Sequence, residues 1–176
     1  MYPFVRMMKE LAVHSRAESL PLNGIHVSYH LCWPWDLDFW QELNNGRTLT
    51  LFDLGRIPLA RRTGMIHALR ENGWGLTVAG VSVRYRRRIR VFDRIEMRSR
   101  ALGWDDRFFY LEQSLWKKGE ATTHGLYRTA ITGPDGIIAP PRVAEAMGLG
   151  PASPPLPDWV RHWIAAEHER PWPPEM

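Results

Sequence analysis

Read for period, the chain divides into a helical start, one strand, a central helix and a long run of alternation. Positions Phe4, Val5, Met8, Leu11 and Ala12 recur at helical spacing, which predicts an amphipathic helix over the first dozen residues, charged side outward and apolar stripe packed on the domain. After a polar connector through Pro21 and Gly24, the β-branched and aromatic residues of Ile25 to Trp33 predict a strand that Pro34 ends. The stretch Trp35 to Asn44 is turn-like and acidic. From Asn45 the period becomes helical, with Leu49, Phe52, Leu54 and Ile57 available for a buried face, and Pro58 is expected to kink or stop this helix. A second short helical segment covers Arg61 to Leu69, and Asn72-Gly73 marks a turn.

Three alternating runs follow, Gly75 to Val91, Arg94 to Leu102 and Arg107 to Trp116, and a fourth spans Thr122 to Ile131. The segments between them, Phe92-Asp93, Gly103-Trp104-Asp105-Asp106 and Lys118-Gly119-Glu120, carry the residues of tight turns, so the runs read as consecutive antiparallel strands. After Gly148 the prolines Pro151, Pro154, Pro155 and Pro157 predict an extended linker, and Asp158 to His168 a short helix with Asp158 at its cap. The expected division is a domain over 1–148 and a linker with a helical tail over 149–176. Strand, helix, then meander predicts an α+β fold with one face of an antiparallel sheet against a single long helix. One helix cannot cover so wide a sheet, so a homodimer or homotetramer is expected.

Composition narrows the chemistry. A chain of 176 residues buries a sizeable core without disulfides or metals. Its one cysteine, Cys32, lies in an apolar stretch and fits a reducing, cytoplasmic compartment. No window approaches the roughly 20 apolar residues of a membrane span, and Arg6, Lys9 and Glu10 interrupt any signal-peptide core. The net charge of +4 favours anionic partners without separating nucleic acid, lipid and phosphate-bearing ligands. The seven histidines form no metal-ligand motif, Ser28 and Cys32 lack a nucleophile elbow, and no phosphate loop is present, so neither a metal nor a cofactor is expected. Several tryptophans, Trp33, Trp35, Trp40, Trp74 and Trp104, fall at element ends, where pockets and interfaces are built.

Two segments carry a resemblance. Asp36-Leu37-Asp38-Phe39-Trp40-Gln41-Glu42-Leu43-Asn44-Asn45-Gly46-Arg47, followed by Leu49 and Phe52-Asp53-Leu54-Gly55-Arg56, resembles the strand-to-helix signature of hotdog thioesterases of the 4-hydroxybenzoyl-CoA thioesterase type: a D-x-D turn, a short loop and an N-N-x-R helix start. Val81-Ser82-Val83-Arg84-Tyr85, Ile89 and Phe92-Asp93-Arg94-Ile95 are similar to later strands of that family. The resemblance runs from about Ile25 to Ile131 and implies a hotdog fold, a sheet wrapped around a central helix, with extra terminal helices. It departs where many relatives place a glycine and a histidine before the paired asparagines and a tyrosine after the arginine; here Phe39 to Leu43 and Thr48 stand instead.

The resemblance implies hydrolysis of an acyl-CoA or acyl-carrier thioester, with pockets between subunits and the second aspartate of D-x-D, Asp38, as base or nucleophile. Asp36 then shapes the loop. On the residues alone, both aspartates are as readily turn formers, with Asn44 or Asn45 only a helix cap. The free amides at the helix start, near Asn45 and Gly46, are suited to hold a developing oxyanion. Asn44, Arg47 and Trp40 are candidate substrate contacts. Arg84, Arg86, Arg88 and Arg90 alternate, so they are expected on one face of a strand, with Arg84 and Arg86 meeting the phosphates of coenzyme A or pairing with Glu96 or Glu112. Only Tyr85 interleaves this stripe, unlike a base-stacking platform, and nucleic acid is not the expected partner. A hotdog protein that binds acyl groups without turning them over is the alternative.

Overall fold

The alternation after Gly75 pairs in the order its turns require. In the computed structural model, which describes residues 2–175, the helices are α1 (Phe4–Val13), α2 (Asn45–Arg62), α3 (Met65–Asn72), α4 (Pro140–Ala146) and α5 (Asp158–Glu169). The strands are β1 (His26–Leu31), β2 (Gly75–Tyr85), β3 (Arg94–Trp104), β4 (Phe109–Lys117), β5 (Glu120–Gly133) and β6 (Gly136–Ile138). The sheet runs β1-β3-β4-β5-β2 with every pair antiparallel, and β6 pairs the last residues of β5. It curls around α2 in a hotdog arrangement, and the extra helices lie outside that unit.

The central helix is seated by apolar burial and by one close approach. Leu51, Phe52 and Leu54 pack against Ile95, Met97, Leu111, Leu115 and Tyr127 of the sheet, while the expected Leu49 and Ile57 are partly buried at the margin. A Cβ on Gly55 would lie 2.5 Å from Ser99 Oγ and 2.7 Å from Met97 Sδ, so only glycine lets the helix backbone come this near. Beside it the buried Gln113 donates from Nε2 to the Phe52 carbonyl and to Ser99 Oγ, both at 2.8 Å. Pro58 neither stops the helix nor ends its burial, since α2 continues to Arg62. Pro58 and Leu59 are buried, and that packing offsets the roughly 3 kcal/mol that an interior proline costs. The following helix starts later than its pattern predicts, because Gly64, at φ 83°, breaks the chain between the two.

The tail is bound to the far side of the sheet. Val160 of α5 is buried with Leu102, Tyr110 and Leu126, and Ser153 accepts the Trp104 amide at 2.8 Å. Asp158 is not the cap: Pro157 holds that position and the Asp158 carboxylate pairs with Arg161. Among the described residues no helix is long and apolar enough to cross a membrane.

The first helix is rotated from the face its pattern predicts: Leu11 of the expected stripe packs on the core beside the buried Met7, but the rest of the stripe turns to solvent. Phe4, Val5 and Met8 are 68%, 84% and 67% exposed, while Arg6 and Glu10 face the domain. The cause is a set of buried polar groups beneath it. Arg6 donates to the buried Asp36 at 2.7 Å and to the Leu31 carbonyl at 2.9 Å. Glu10, also buried, lies 3.5 Å from His14 and 3.8 Å from His30, whose Nε2 is 2.9 Å from Ser28 Oγ. Leaving such groups without partners costs more than exposing three apolar side chains that water also meets in the unfolded chain.

Two predictions follow from this packing. Gly55→Leu forces the helix off the sheet and is expected to lower unfolding free energy by about 1–3 kcal/mol, read by urea denaturation. The second concerns pH. Burial, then the nearby Arg6 and Lys9, push His30 down to about 3; burial, then His14 and Arg62, push His26 down to about 4. Both therefore stay neutral when folded, and the unfolded chain, titrating near 6.5, binds more protons below that pH. Their contribution is full above about pH 6.5 and is lost as pH falls toward 4, so melting temperature should drop by roughly 5 °C or more over that range. His26→Phe should flatten the slope; a wild-type profile already flat there would contradict this account.

Candidate active site

Strand β1 ends at Leu31, short of the expected Trp33, and Pro34 opens a tight turn over Pro34–Asp36 that places the Asp36 carboxylate inward. There it accepts Arg6 at 2.7 Å, Arg47 Nε at 2.6 Å and the Trp33 amide at 3.0 Å. Burial by itself raises the Asp36 carboxyl, but Arg47, the Trp33 amide and Arg6 outweigh it and hold the group below the usual carboxylate range. The Asp36 carbonyl also accepts the Asn44 amide at 3.0 Å, so this one residue fixes the start of α2.

Between them the loop closes on itself. Leu37 and Leu43 form a bridge, and the Asp38 amide donates to the Glu42 carbonyl at 2.8 Å. Asp38 Oδ1 accepts the Trp40 amide at 2.8 Å and the Glu42 amide at 3.4 Å, the geometry of a turn-forming aspartate. Phe39 and Trp40 stand in solvent, 92% and 77% exposed, with their rings against each other.

Asn44 caps α2: its Oδ1 accepts the Arg47 amide at 2.9 Å and its carbonyl the Thr48 amide at 2.8 Å. The amides of Asn45 and Gly46 have no acceptor among the described residues, and they form the positive end of an 18-residue helix. Asn45 lines a cleft of about 210 Å3 together with Glu42, Thr48, Tyr85, Thr123 and the loop Arg86–Arg88, and Gly46 follows it in the helix just outside that lining. Tyr85 donates to the Asn45 carbonyl at 3.3 Å, tying β2 to the helix start, and burial raises its phenol above the ordinary value. At the mouth Arg88 pairs with Glu42 at 3.0 Å and Arg87 with Glu120 at 3.2 Å, whereas the Arg86 guanidinium has no acceptor among the described residues.

The structure thus distributes the residues expected at the site. Asn45 and Arg86 line the cleft; Asn44 and Arg47 line a more open hollow on the other side of the helix start, with Tyr2 and Trp35. Asp38 and Trp40 belong to the adjoining loop and line neither. The arginine stripe is not one face. Strand β2 ends at Tyr85 rather than Val91, because the Arg86 and Arg87 amides both turn to the Thr122 carbonyl, at 2.8 and 3.2 Å. Arg84 is left on the outer side of the sheet, away from Arg86. Sequence reading missed Glu42, Tyr85 and Thr123 as cleft residues. Glu42 had a signal, an acid just before the paired asparagines; Thr123 reaches the cleft only through the β2–β5 register, where it faces Tyr85.

A family model described as "Thioesterase-like superfamily" matches residues 32–164, which includes the loop, the cleft, the central helix and every strand but β1. The chain is 34% identical over 134 residues to "Protein THEM6" of Xenopus laevis, covering 74% of this chain and 63% of that protein. Its Drosophila melanogaster counterpart is 36% identical over 86 residues, covering 48% of this chain and 45% of that protein. The chain therefore spans less than two thirds of these relatives. Among solved structures, the probable thioesterase YbaW of Escherichia coli superposes with a TM-score of 0.65 at 16% identity, covering 69% of this chain and 96% of that one. The DHNA-CoA thioesterase of Staphylococcus aureus gives 0.60 at 15% identity, covering 82% and 91%. These two show the same fold. With the family match covering most of the chain, this protein belongs to the thioesterase-like superfamily.

Proposed function

We propose that the chain hydrolyses acyl-CoA thioesters at the start of α2, with Asp38 as the base. The observation that carries this reading is the pair of unsatisfied amides on Asn45 and Gly46 at the helix start, where Asn45 lines a cleft whose mouth holds an unpaired arginine. An oxyanion forming on the thioester carbonyl meets two fixed donors and the positive end of a helix, the arrangement that stabilises acyl transfer. Asp38 takes a proton from water as that water adds to the carbonyl. The tetrahedral species collapses, the carbon–sulfur bond breaks, and the proton returns to the departing thiolate, giving a free acid and CoA. Gly46 leaves space for the acyl carbon, and Arg86 faces the phosphates. Solved neighbours described as a DHNA-CoA thioesterase and a gentisyl-coenzyme A thioesterase support an acyl-CoA as the substrate class.

The hydrogen bonds that Asp38 accepts from its own loop favour a second reading, an acyl-CoA binding protein without turnover. A thiol-release assay over short, long and aromatic acyl-CoAs separates the two. Asp38→Asn is expected to lower kcat by about 10²–10⁴-fold with the melting temperature unchanged. A loss that follows Glu42→Gln instead moves the base to Glu42, and bound acyl-CoA without release establishes the second reading.

A cleft of about 210 Å3 is small against the roughly 300–1,000 Å3 of ordinary ligand sites. We infer that a second copy completes it across the free edge of β2, where Leu76, Val78, Val81 and Tyr85 are exposed. Replacing Val78 and Val81 together by lysine should yield monomers in sedimentation and cost most of the release activity; a wild-type monomer that retains activity would refute the shared site.

A further inference from the structure

On the side of the sheet away from the cleft, α5 and β2 bound a groove of about 370 Å3 lined by Ser82, Arg84, His124, Leu126, Trp159 and Trp163. Its walls are fixed. Arg84 is paired in register with His124, and Ser82 with Leu126, so all four point to this face. Val160 anchors α5, and the two indoles, four residues apart, lie on one side of that helix. Trp163 rests edge-on against Tyr110 at 6.3 Å, and Trp159 lies 5.5 Å from the His124 ring, which Glu112 holds at 3.0 Å.

The charges in the groove are uneven. Arg100 and Arg128 on this face are neutralised by Glu112, at 2.5 Å, and Glu167, at 3.0 Å. Arg84 has no acceptor among the described residues. An unpaired guanidinium beside two indoles suits a flat ring that carries an anion: the ring stacks on tryptophan, and the guanidinium takes two phosphate oxygens.

We propose that this groove binds the adenine and 3′-phosphate of coenzyme A, with the ring against Trp159 and the phosphate on Arg84. The proposal rests on the acyl-CoA reading and extends it to the far end of the substrate. Arg84 and Arg86 are two residues apart, about 7 Å along a strand, yet lie on opposite sides of its end. A long substrate with its thioester at Asn45 and its diphosphate at Arg86 passes round the end of β2 and enters the groove. A free adenine nucleotide offers the same ring and charge, so the test separates the two sources.

Calorimetry on the full chain uses adenosine 3′,5′-bisphosphate, which has the ring and the 3′-phosphate and no thioester. Saturable binding is expected, weakened about tenfold by Arg84→Ala and by Trp159→Ala, and unaffected by Asp38→Asn. Adenosine 5′-monophosphate should bind about tenfold more weakly; equal affinity for the two identifies a free-nucleotide site and overturns the assignment to coenzyme A. In turnover, Arg84→Ala should raise KM about tenfold for an acyl-CoA but not for the matching acyl-pantetheine thioester, which lacks the nucleotide. Bisphosphate binding that ignores both substitutions overturns the groove whatever Asp38 does. Turnover that ignores Asp38→Asn, with the groove variants still weakening bisphosphate, overturns the catalytic assignment and leaves the groove standing.

Discussion

A carboxylate with no solvent exposure has to be paid for locally, and at Asp36 the payment organises the rest of the molecule. Arg6 comes from α1, Arg47 from α2 and the Trp33 amide from the turn that carries Asp36 itself, so both helices are tied to the loop through one side chain. Such a cluster adds little net stability over an apolar equivalent, but removing one partner costs about 3–5 kcal/mol because it strands the remaining charge. Its effect is geometric: the first helix, the loop and the helix start are held in one relation to one another.

That relation governs the candidate chemistry. With Arg47 drawn onto Asp36 and Asn44 satisfying the Arg47 amide, the first two amides of α2 remain unpaired at the helix start, where Asn45 lines the cleft. The seat of the helix is set independently by Gly55 and Gln113 on the sheet, so the donors are fixed from both ends. Preorganised donors of this kind need no rearrangement when charge develops on a substrate, which is why the position of a helix start bears on reactivity as well as on packing.

What could be read from the sequence tracks how local each cause is. The meander was legible because strand period and turn residues are properties of neighbours in the chain, and Asn44-Asn45 announced a helix start for the same reason. The orientation of α1 was not legible: Phe4, Val5 and Met8 give an apolar stripe, but the groups that overrule it, Asp36 and His30, are supplied by other elements. Pro58 misled in the same way, since its local cost is offset by burial, which the local pattern does not show. Of the candidate site residues, Asn45 and Arg86 lie at the cleft, while Tyr85 and Thr123, which no local pattern marks, reach it only through strand pairing.

The arginines show how a small local event redistributes function. Alternation from Arg84 to Arg90 describes a single charged face only if the strand persists, and it stops at Tyr85, where two successive amides turn to one carbonyl of β5. Beyond that point a two-residue step no longer returns to the same side. Arg86 is carried toward the helix start and Arg84 stays under α5, so one basic run serves two surfaces separated by the thickness of the sheet. The composition of the run is that of a continuous basic face, and its geometry is that of a strand end that turns successive arginines to opposite sides.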